Sequence, residues 1–201
     1  MESAAKRLST DKAERISPRE RILAAAAELF YRQGIRAVGV DAIAEAAETN
    51  KMTLYRHFAS KDELVAEYLR REAEKVRLGW VQRAIDHPEP CAQIRAWLSD
   101  VANHMSSGDE RGCPLTNAAV ELAEKDHPAR RVVEAFKTAQ RQYLTGLCEA
   151  AKLVEPEMLA DELFLLLEGA RVTGQSMGPQ GLGERLVKMG EAIIKAHSPR
   201  T

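Results

Sequence analysis

Two capping boxes in the first third of the chain fix most of what it can fold into. Ser17-Pro18-Arg19-Glu20 and Ser60-Lys61-Asp62-Glu63 each place a serine three residues before a glutamate, the pattern that opens a helix. Between them, a longer apolar segment is followed by two short ones, at about 40–47 and 50–58. The sequence therefore predicts a long helix, two short helices joined by the tight turn Glu48-Thr49, and the start of another long helix.

Prolines divide the rest of the chain at intervals that suit helices, because proline is tolerated in the first turn of a helix but not in its interior. Alanine, leucine and glutamate are abundant, aromatic residues make up only 5%, and no long segment alternates with period two. We therefore expect an all-α fold of about nine helices. After residue 90 the expected helices cover about 91–105, 114–125, 129–152 and 156–177, followed by a closing helix from Leu182.

The composition excludes several classes of protein. The longest aliphatic run, Leu163 to Leu167, is far shorter than a membrane span, and the polar N-terminus contains no secretory signal. We expect a cytoplasmic protein without a membrane partner. The three cysteines, Cys91, Cys113 and Cys148, are widely spaced and have no histidine at zinc-ligand spacing, so we expect no metal and no cofactor.

The two short helices and their tight turn form the pattern of a helix-turn-helix. In that motif the first short helix braces the second, whose N-terminal residues lie in the major groove of DNA. Thr49 to Lys61 contains three basic residues and no acidic one. Leu54 and Phe58, four residues apart, are expected to point inward as anchors. The outer faces are then left to Lys51, Met52, Thr53, Tyr55, Arg56 and His57.

Several short motifs between Ile22 and Leu64 occur together in one known family. They are Ala27-Glu28-Leu29-Phe30, Gly34, Val40-Asp41-Ala42-Ile43-Ala44, Thr53-Leu54-Tyr55-Arg56-His57-Phe58 and Ser60-Lys61-Asp62-Glu63-Leu64. In this combination the stretch resembles the TetR family of bacterial transcriptional regulators. The resemblance implies that Lys51, Met52 and Thr53 read bases. It also implies phosphate contacts by Tyr55, His57 and Lys61, with Arg56 suited to either role and Thr49 at the start of the same surface.

The same resemblance implies an organisation and a mechanism for the whole chain. Residues 1–16 are expected to form a flexible arm, 17–61 the DNA-binding domain, and 62–201 a domain for ligand binding and dimerisation. The implied protein is a homodimeric repressor that a small-molecule effector releases from a palindromic operator in double-stranded DNA. Candidate effector contacts are the less common polar, aromatic and sulfur-containing residues of the later helices: Trp97, His104, Met105, Cys113, Asn117, Tyr143 and Arg171.

Two apolar stripes on the last two helices predict the dimer interface. A two-fold four-helix bundle would bury such stripes, although the core of a single chain would leave the same pattern. A dimer also suits the DNA-binding motif, because one short helix reads too few base pairs alone. The stripes consist of Leu159, Leu163, Leu166 and Ala170 on one helix, and Leu182, Leu186, Met189 and Ile193 on the other.

Two positions depart from the pattern of the family. Glu48 stands in the turn where the family usually has glycine, so we expect a non-glycine residue to adopt a positive φ there. Its negative charge would also narrow the set of operators that the protein accepts. Gly39 stands before the first short helix where the family usually has serine or threonine, a change that costs only a few tenths of a kcal/mol.

Other functions remain open at this point. Cys113 lies at the predicted start of a helix, which favours a thiolate, so a repressor that senses electrophiles or oxidants is an alternative. Gly174-Gln175-Ser176-Met177-Gly178 matches the nucleophile elbow of serine hydrolases, but the residues before it predict a helix rather than the required strand. We therefore expect no enzyme and no catalytic residue, with a hydrolase using Ser176 as the weaker alternative. A further alternative is a helical adaptor whose Thr49–Lys61 segment binds an acidic protein.

Overall fold

The computed structural model describes residues 16–106 and 111–199. These residues form nine α-helices and no strand, which confirms the all-α prediction. The predicted flexible arm lies outside the described residues, apart from Ile16. The helices are α1 (Pro18–Gln33), α2 (Val40–Ala46), α3 (Lys51–His57), α4 (Lys61–Asp86), α5 (Pro90–Ser106), α6 (Pro114–Glu121), α7 (Pro128–Ala150), α8 (Pro156–Met177) and α9 (Leu182–Ala196).

The predicted capping boxes open α1 and α4. The Ser17 hydroxyl oxygen accepts a hydrogen bond from the backbone N–H of Glu20 at 3.2 Å, and Ser60 accepts one from Glu63 at 3.1 Å. Each bond satisfies a backbone donor that the first turn of a helix would otherwise leave unpaired. These local bonds explain why the sequence alone places both helix starts correctly.

Helix α6 is shorter than the sequence predicts. It ends at Glu121 rather than near Lys125, because Leu122 adopts an extended backbone, with φ −95° and ψ 100°, and buries its side chain. Burial of this leucine thus ends the helix even though Ala123, Glu124 and Lys125, which follow it, are good helix formers. Helix α7 then begins after His127, whose Nδ1 accepts the backbone N–H of Ala129 at 3.1 Å.

The chain divides into two compact units between Tyr68 and Leu69, within α4. The first unit contains α1 to α3 and the start of α4. Its core is formed by buried apolar side chains from all four helices, and the rings of Phe30 and Tyr68 lie 5.7 Å apart. The core thus fixes α2 and α3 against α1, as a helix-turn-helix requires.

The second unit contains the rest of α4 and helices α5 to α9. Its main core is built from aliphatic side chains of α5, α7, α8 and α9. Helix α9 approaches α5 closely at Gly190, where an added Cβ would lie 2.5 Å from Cδ1 of Leu98. A side chain at this position would force the two helices apart, so the close packing depends on glycine.

Four aromatic rings pack together beside this core. Trp80 of α4 stacks on Tyr143 of α7, with ring centroids 4.7 Å apart and an interplanar angle of 6°. Trp97 of α5 and Phe136 of α7 lie 6.3 and 5.9 Å from the Trp80 ring. The Tyr143 hydroxyl lies 3.2 Å from Oε1 of buried Gln93 and donates to it. Offset packing of aromatic rings stabilises the folded protein by more than the burial of their apolar area alone.

Candidate DNA-binding surface and ligand cavity

Two positions depart from the pattern described above: Glu48, in the turn between α2 and α3, and Gly39, just before α2. Glu48 has φ 49°, so the predicted positive φ at a non-glycine residue is confirmed. Gly39 is the N-cap of α2 and supplies no side-chain hydrogen bond. Asn50 caps α3 instead, because its Oδ1 accepts the backbone N–H of Thr53 at 2.8 Å. The start of the second short helix is therefore fixed by a side chain, whereas the start of the first is not.

The predicted anchors of α3 are buried and its outer face is exposed. Leu54 and Phe58 lie in the core of the first unit, as expected. Met52 is 77% exposed, so its side chain lies on the outer face of α3. Of the other predicted DNA-binding residues, Lys51, Tyr55, Arg56 and His57 are exposed, while Thr49, Thr53 and Lys61 are half-buried.

Two acidic residues lie against this cationic face. The Lys51 ammonium is 3.2 Å from the Asp41 carboxylate, and a guanidinium nitrogen of Arg21 is 3.8 Å from the carboxylate of Glu48. All four side chains are substantially exposed, so each pair contributes only about 0–1 kcal/mol to stability. The positive charge of Lys51 is nevertheless partly offset by the carboxylate of Asp41, a pairing that the sequence did not predict.

Lys61 has a structural partner as well as a place on the surface. Its ammonium donates to the backbone carbonyl of Ile35 at 2.6 Å and lies 6.0 Å from the centre of the Phe30 ring. Arg19, which the sequence did not single out, lies 5.1 Å from the Phe58 ring centre and 2.9 Å from Glu67. Both basic residues therefore tie the outer layer of the first unit to its core.

The second unit contains a cavity of about 340 Å³. Four of the seven predicted effector residues line it, namely His104, Met105, Cys113 and Arg171. The other lining residues come mainly from helix ends and loops, and the sequence assigned none of them to an effector. These are Val76, Val101, Gly112, Pro114, Gly174, Gln175 and Pro179.

The remaining three predicted effector residues have other partners. Trp97 and Tyr143 belong to the aromatic cluster around Trp80. The Asn117 side-chain amide donates to the carbonyl of Arg111 at 2.5 Å. None of the three lines the cavity described above, so their assignment to an effector stays a prediction without a geometric basis.

A cluster of charged side chains lies beside the cavity. One carboxylate, Glu168, accepts from Arg171 at 2.8 Å, from Lys137 at 2.7 Å and from the Thr116 hydroxyl at 2.9 Å. Burial alone would raise the pKa of Glu168, but the two cations and the hydroxyl together lower it. Glu168 is thus ionised at neutral pH. The Lys137 ammonium also lies 4.0 Å from Sγ of Cys113.

The three cysteines differ in their surroundings. Burial raises the pKa of the Cys148 thiol to about 12 and also raises that of Cys91. Both are therefore protonated thiols at neutral pH. Cys113 is the N-cap residue of α6 and lines the cavity. Of the three cysteines, Cys113 is the one that lines the cavity.

The predicted dimer stripes fall mostly within the core of a single chain. Leu159, Leu163, Ala170, Leu182 and Leu186 are buried there, and Leu166 and Ile193 pack partly against it. Of the eight residues, Met189 is the exposed one. The apolar side chains that α8 and α9 leave to solvent are instead Met158, Leu165, Val172, Met177 and Met189.

Ser176 lies in the last turn of α8 and not on a strand-to-helix turn. Its hydroxyl donates to the backbone carbonyl of Val172 at 2.9 Å, an ordinary bond within a helix. The geometry that makes a nucleophile elbow work is therefore missing at this serine.

Neither a metal-binding cluster nor a membrane span was found among residues 16–106 and 111–199. No group of three or more histidine, cysteine or acidic residues comes together there in a way that could hold a metal ion. None of the helices in these ranges combines the length and the apolar character needed to cross a membrane.

Comparison with known proteins links both units to one family. Residues 22–68 match the family model of bacterial regulatory proteins of the TetR family, and residues 90–177 match the C-terminal domain of LmrA/YxaF-like transcriptional regulators. The HTH-type transcriptional regulator LmrA of Bacillus subtilis is 32% identical over 126 residues, covering 59% of this chain and 65% of LmrA. The chain thus spans slightly less than two thirds of this curated relative.

Solved structures give the same result over nearly the full chain. The TetR-family transcriptional regulator SCO4454 from Streptomyces coelicolor superimposes with a TM-score of 0.85 at 28% identity, covering 90% of this chain and 96% of SCO4454. A putative TetR transcriptional regulator, SAV143 from Streptomyces avermitilis, has a TM-score of 0.82 at 31% identity and covers 90% and 98% of the two chains.

Proposed function

The chain belongs to the TetR family of bacterial transcriptional regulators, and on that basis we propose that it is a sequence-specific, DNA-binding repressor. Residues 17–61 form the DNA-binding domain of this proposal, and residues 62–201 form the domain for ligand binding and dimerisation. The protein acts on DNA in the bacterial cytoplasm, binds one palindromic operator as a homodimer, and catalyses no reaction.

The observation that carries the proposal is the division of α3 into two faces. Leu54 and Phe58 anchor the helix, and Asn50 caps its start, so that the side chains from Lys51 to His57 are presented on a rigid support. A helix of this size fits the major groove, where lysine and threonine can bond base edges. Tyr55, His57 and Lys61 then contact phosphates, and these contacts fix the register without reading sequence.

The dimer of this proposal uses the exposed sides of α8 and α9. Their exposed apolar side chains, among them Leu165 and Met189, would lie in a four-helix bundle with the same face of a second copy. A dimer of this kind presents two recognition helices to half-sites about one DNA turn apart, or a multiple of it.

The effector acts by shifting a population of dimer conformations. A small molecule in the cavity favours a dimer whose recognition helices are wrongly spaced for successive major grooves, so the affinity for the operator falls. Linkage requires the reverse effect of equal size, and bound operator must therefore weaken effector binding by the same factor.

Selection of binding sites from random duplexes tests the proposal directly. We expect the full-length protein to enrich a palindromic sequence, in which two half-sites are repeated in inverted orientation. No enrichment, and no retardation of any duplex at low salt, would refute it. That result would favour the adaptor alternative, in which the Thr49–Lys61 segment binds an acidic protein.

A second candidate function is a repressor that senses electrophiles or oxidants through Cys113. The observation that favours it is the position of this thiol in the cavity wall, where a bound molecule could reach it, 4.0 Å from the Lys137 ammonium. Alkylation of Cys113 should then lower operator affinity, and Cys113→Ser should abolish that response. Unchanged operator affinity after complete alkylation would remove this candidate.

A further inference from the structure

The wall of the cavity carries an unbalanced positive charge. The Glu168 carboxylate is shared by Lys137 and Arg171, one on each oxygen, and the three side chains are 17% to 20% exposed. One negative charge thus faces two positive charges in a largely buried cluster. Since Glu168 is ionised, the net charge of the cluster is +1 at neutral pH.

Within the described parts of the chain, no second acid compensates this charge. Lys137 and Arg171 form ion pairs with Glu168 alone. The lining of the cavity includes no aspartate or glutamate, and Arg171 is its one permanently charged residue. A charge that is withdrawn from water without a full counter-charge is costly, so an anion placed here would offset that cost.

Arg171 is positioned to receive such an anion. Arg171 lines the cavity, and the Nη1 nitrogen of its guanidinium donates the hydrogen bond to Glu168. The guanidinium of an arginine carries five N–H donors in a planar fork that matches a carboxylate. Most of these donors remain for a ligand after one bond to Glu168.

The rest of the cavity suits an apolar body. Five apolar residues line it, namely Val76, Val101, Met105, Pro114 and Pro179. Its volume of about 340 Å³ lies at the lower end of the range for pockets that enclose a small organic molecule, about 300–1,000 Å³. A compact or flexible apolar group therefore fits better than a large polycyclic one.

We propose that the ligand of this cavity is an amphipathic organic carboxylate, whose acid group pairs with Arg171 while its apolar part contacts the valine, methionine and proline side chains. The proposal rests on the proposed function, which supplies the reason for a ligand site. A cavity of this kind would disfavour lipophilic cations, because a bound cation would add a second uncompensated positive charge beside Arg171.

Three molecules with the same ten-carbon chain and different head groups test the proposal: decanoate, decanol and decylammonium. Calorimetric titration of the full-length protein at neutral pH measures the affinity for each. We expect decanoate to bind about 10-fold to 100-fold more tightly than decanol, the size of an effect that one charged hydrogen-bonded pair produces. Decylammonium should bind most weakly of the three.

Two substitutions move the net charge of the cluster in opposite directions. Arg171→Gln should reduce the affinity for decanoate to that for decanol and leave the affinity for decanol unchanged. Glu168→Gln removes the negative charge and should raise the affinity for decanoate. Arg95→Gln is the matched control, because Arg95 pairs with Glu191 at 2.8 Å in the same unit but lies outside the cavity lining.

The ranking of the three head groups by the unsubstituted protein decides the question even where a variant fails to fold. Equal or tighter binding of decanol or decylammonium would overturn the proposal. So would the absence of saturable decanoate binding below about 1 mM, or a decanoate preference that survives in folded Arg171→Gln. These titrations contain no DNA. If the proposed repressor function is wrong, the selection from random duplexes will enrich no sequence, while decanoate will still bind more tightly than decanol and decylammonium.

Discussion

The ammonium of Lys51, on the proposed recognition helix, lies 3.2 Å from the carboxylate of Asp41 on the helix that braces it. In the proposed complex with DNA, Lys51 would have to leave or share this partner to contact a base. The pair therefore competes with DNA for the same charge. Because both side chains are exposed, the competition is weak and salt-dependent.

Asp41→Asn should strengthen DNA binding. Loss of the carboxylate frees Lys51 and removes a negative charge near the phosphates, so we expect Kd to fall by up to about fivefold at low salt. Fluorescence anisotropy with a labelled operator measures this. Glu45→Gln, on the exposed side of the same helix, is the control for a general charge effect. Equal gains in both variants would argue against a specific competition.

Lys51→Ala and Lys61→Ala should weaken binding in different ways. Lys51→Ala should cost about 1–3 kcal/mol on operators with the preferred base and less on others, whereas Lys61→Ala should weaken all sequences alike and reduce the salt slope by about one. A panel of operator variants at several salt concentrations separates the two patterns. Uniform losses in both variants would contradict the assignment. Lys61→Ala also removes the hydrogen bond to the Ile35 carbonyl. The melting temperature of this variant must therefore be measured in parallel, to separate lost stability from lost DNA contact.

Glu48→Gly and Glu48→Ala separate backbone strain from charge at the turn. Both remove the carboxylate and should increase affinity for DNA. Only glycine relieves the positive φ of 49°, so Glu48→Gly should be more stable than Glu48→Ala by about 1 kcal/mol. Urea denaturation of the two variants gives this difference. Equal stability would mean that the left-handed conformation carries no measurable strain.

Glu168 should make stability depend on pH in the acidic range. Its pKa is lowered in the folded protein, so its ion pairs contribute stability fully at pH values above the pKa of the unfolded chain, near 4.5. This contribution is lost as the pH falls through the lower pKa of the folded state. Glu168→Gln should therefore reduce the free energy of unfolding by about 3 kcal/mol at neutral pH and by progressively less in acid. A difference that is constant with pH would indicate lost packing rather than lost charge.

Leu165→Glu should dissociate the proposed dimer. Leu165 is 70% exposed on α8, and a carboxylate there would face its own copy across a two-fold interface. Sedimentation at micromolar concentration should detect monomer, and operator affinity should fall with it. Leu78→Glu is the matched control, because Leu78 is 60% exposed on α4, a helix that the proposed interface does not include. A dimer that withstands Leu165→Glu would place the interface elsewhere.

The DNA-binding motif could be predicted from the sequence because its determinants are local. Asn50, Ser17 and Ser60 each cap a helix within three residues, and Leu54 and Phe58 lie one turn apart. Nothing beyond these short spacings is needed to fix which side of α3 faces inward. The partner of Lys51 is different, since Asp41 is ten residues away and only the turn brings the two together.

The cavity and the interface could be predicted less well because they depend on distant contacts. The sequence predicts an effector contact for Tyr143, whereas in the structure its ring stacks on Trp80, which lies 63 residues away along the chain. The run Leu163 to Leu167 is apolar on every side, so helical spacing does not show which side packs inward. In the structure Leu163 and Leu167 are buried and Leu165 is exposed.

The aromatic cluster gives the protein a built-in optical probe. Trp80 and Trp97 are the two tryptophans of the whole sequence, and both belong to this cluster. Trp80 lies one turn after Val76 on α4, and Trp97 lies one turn before Val101 on α5, so each neighbours a residue of the cavity wall. A molecule that enters the cavity will therefore change the intrinsic emission of the protein, and compounds can be screened without any label.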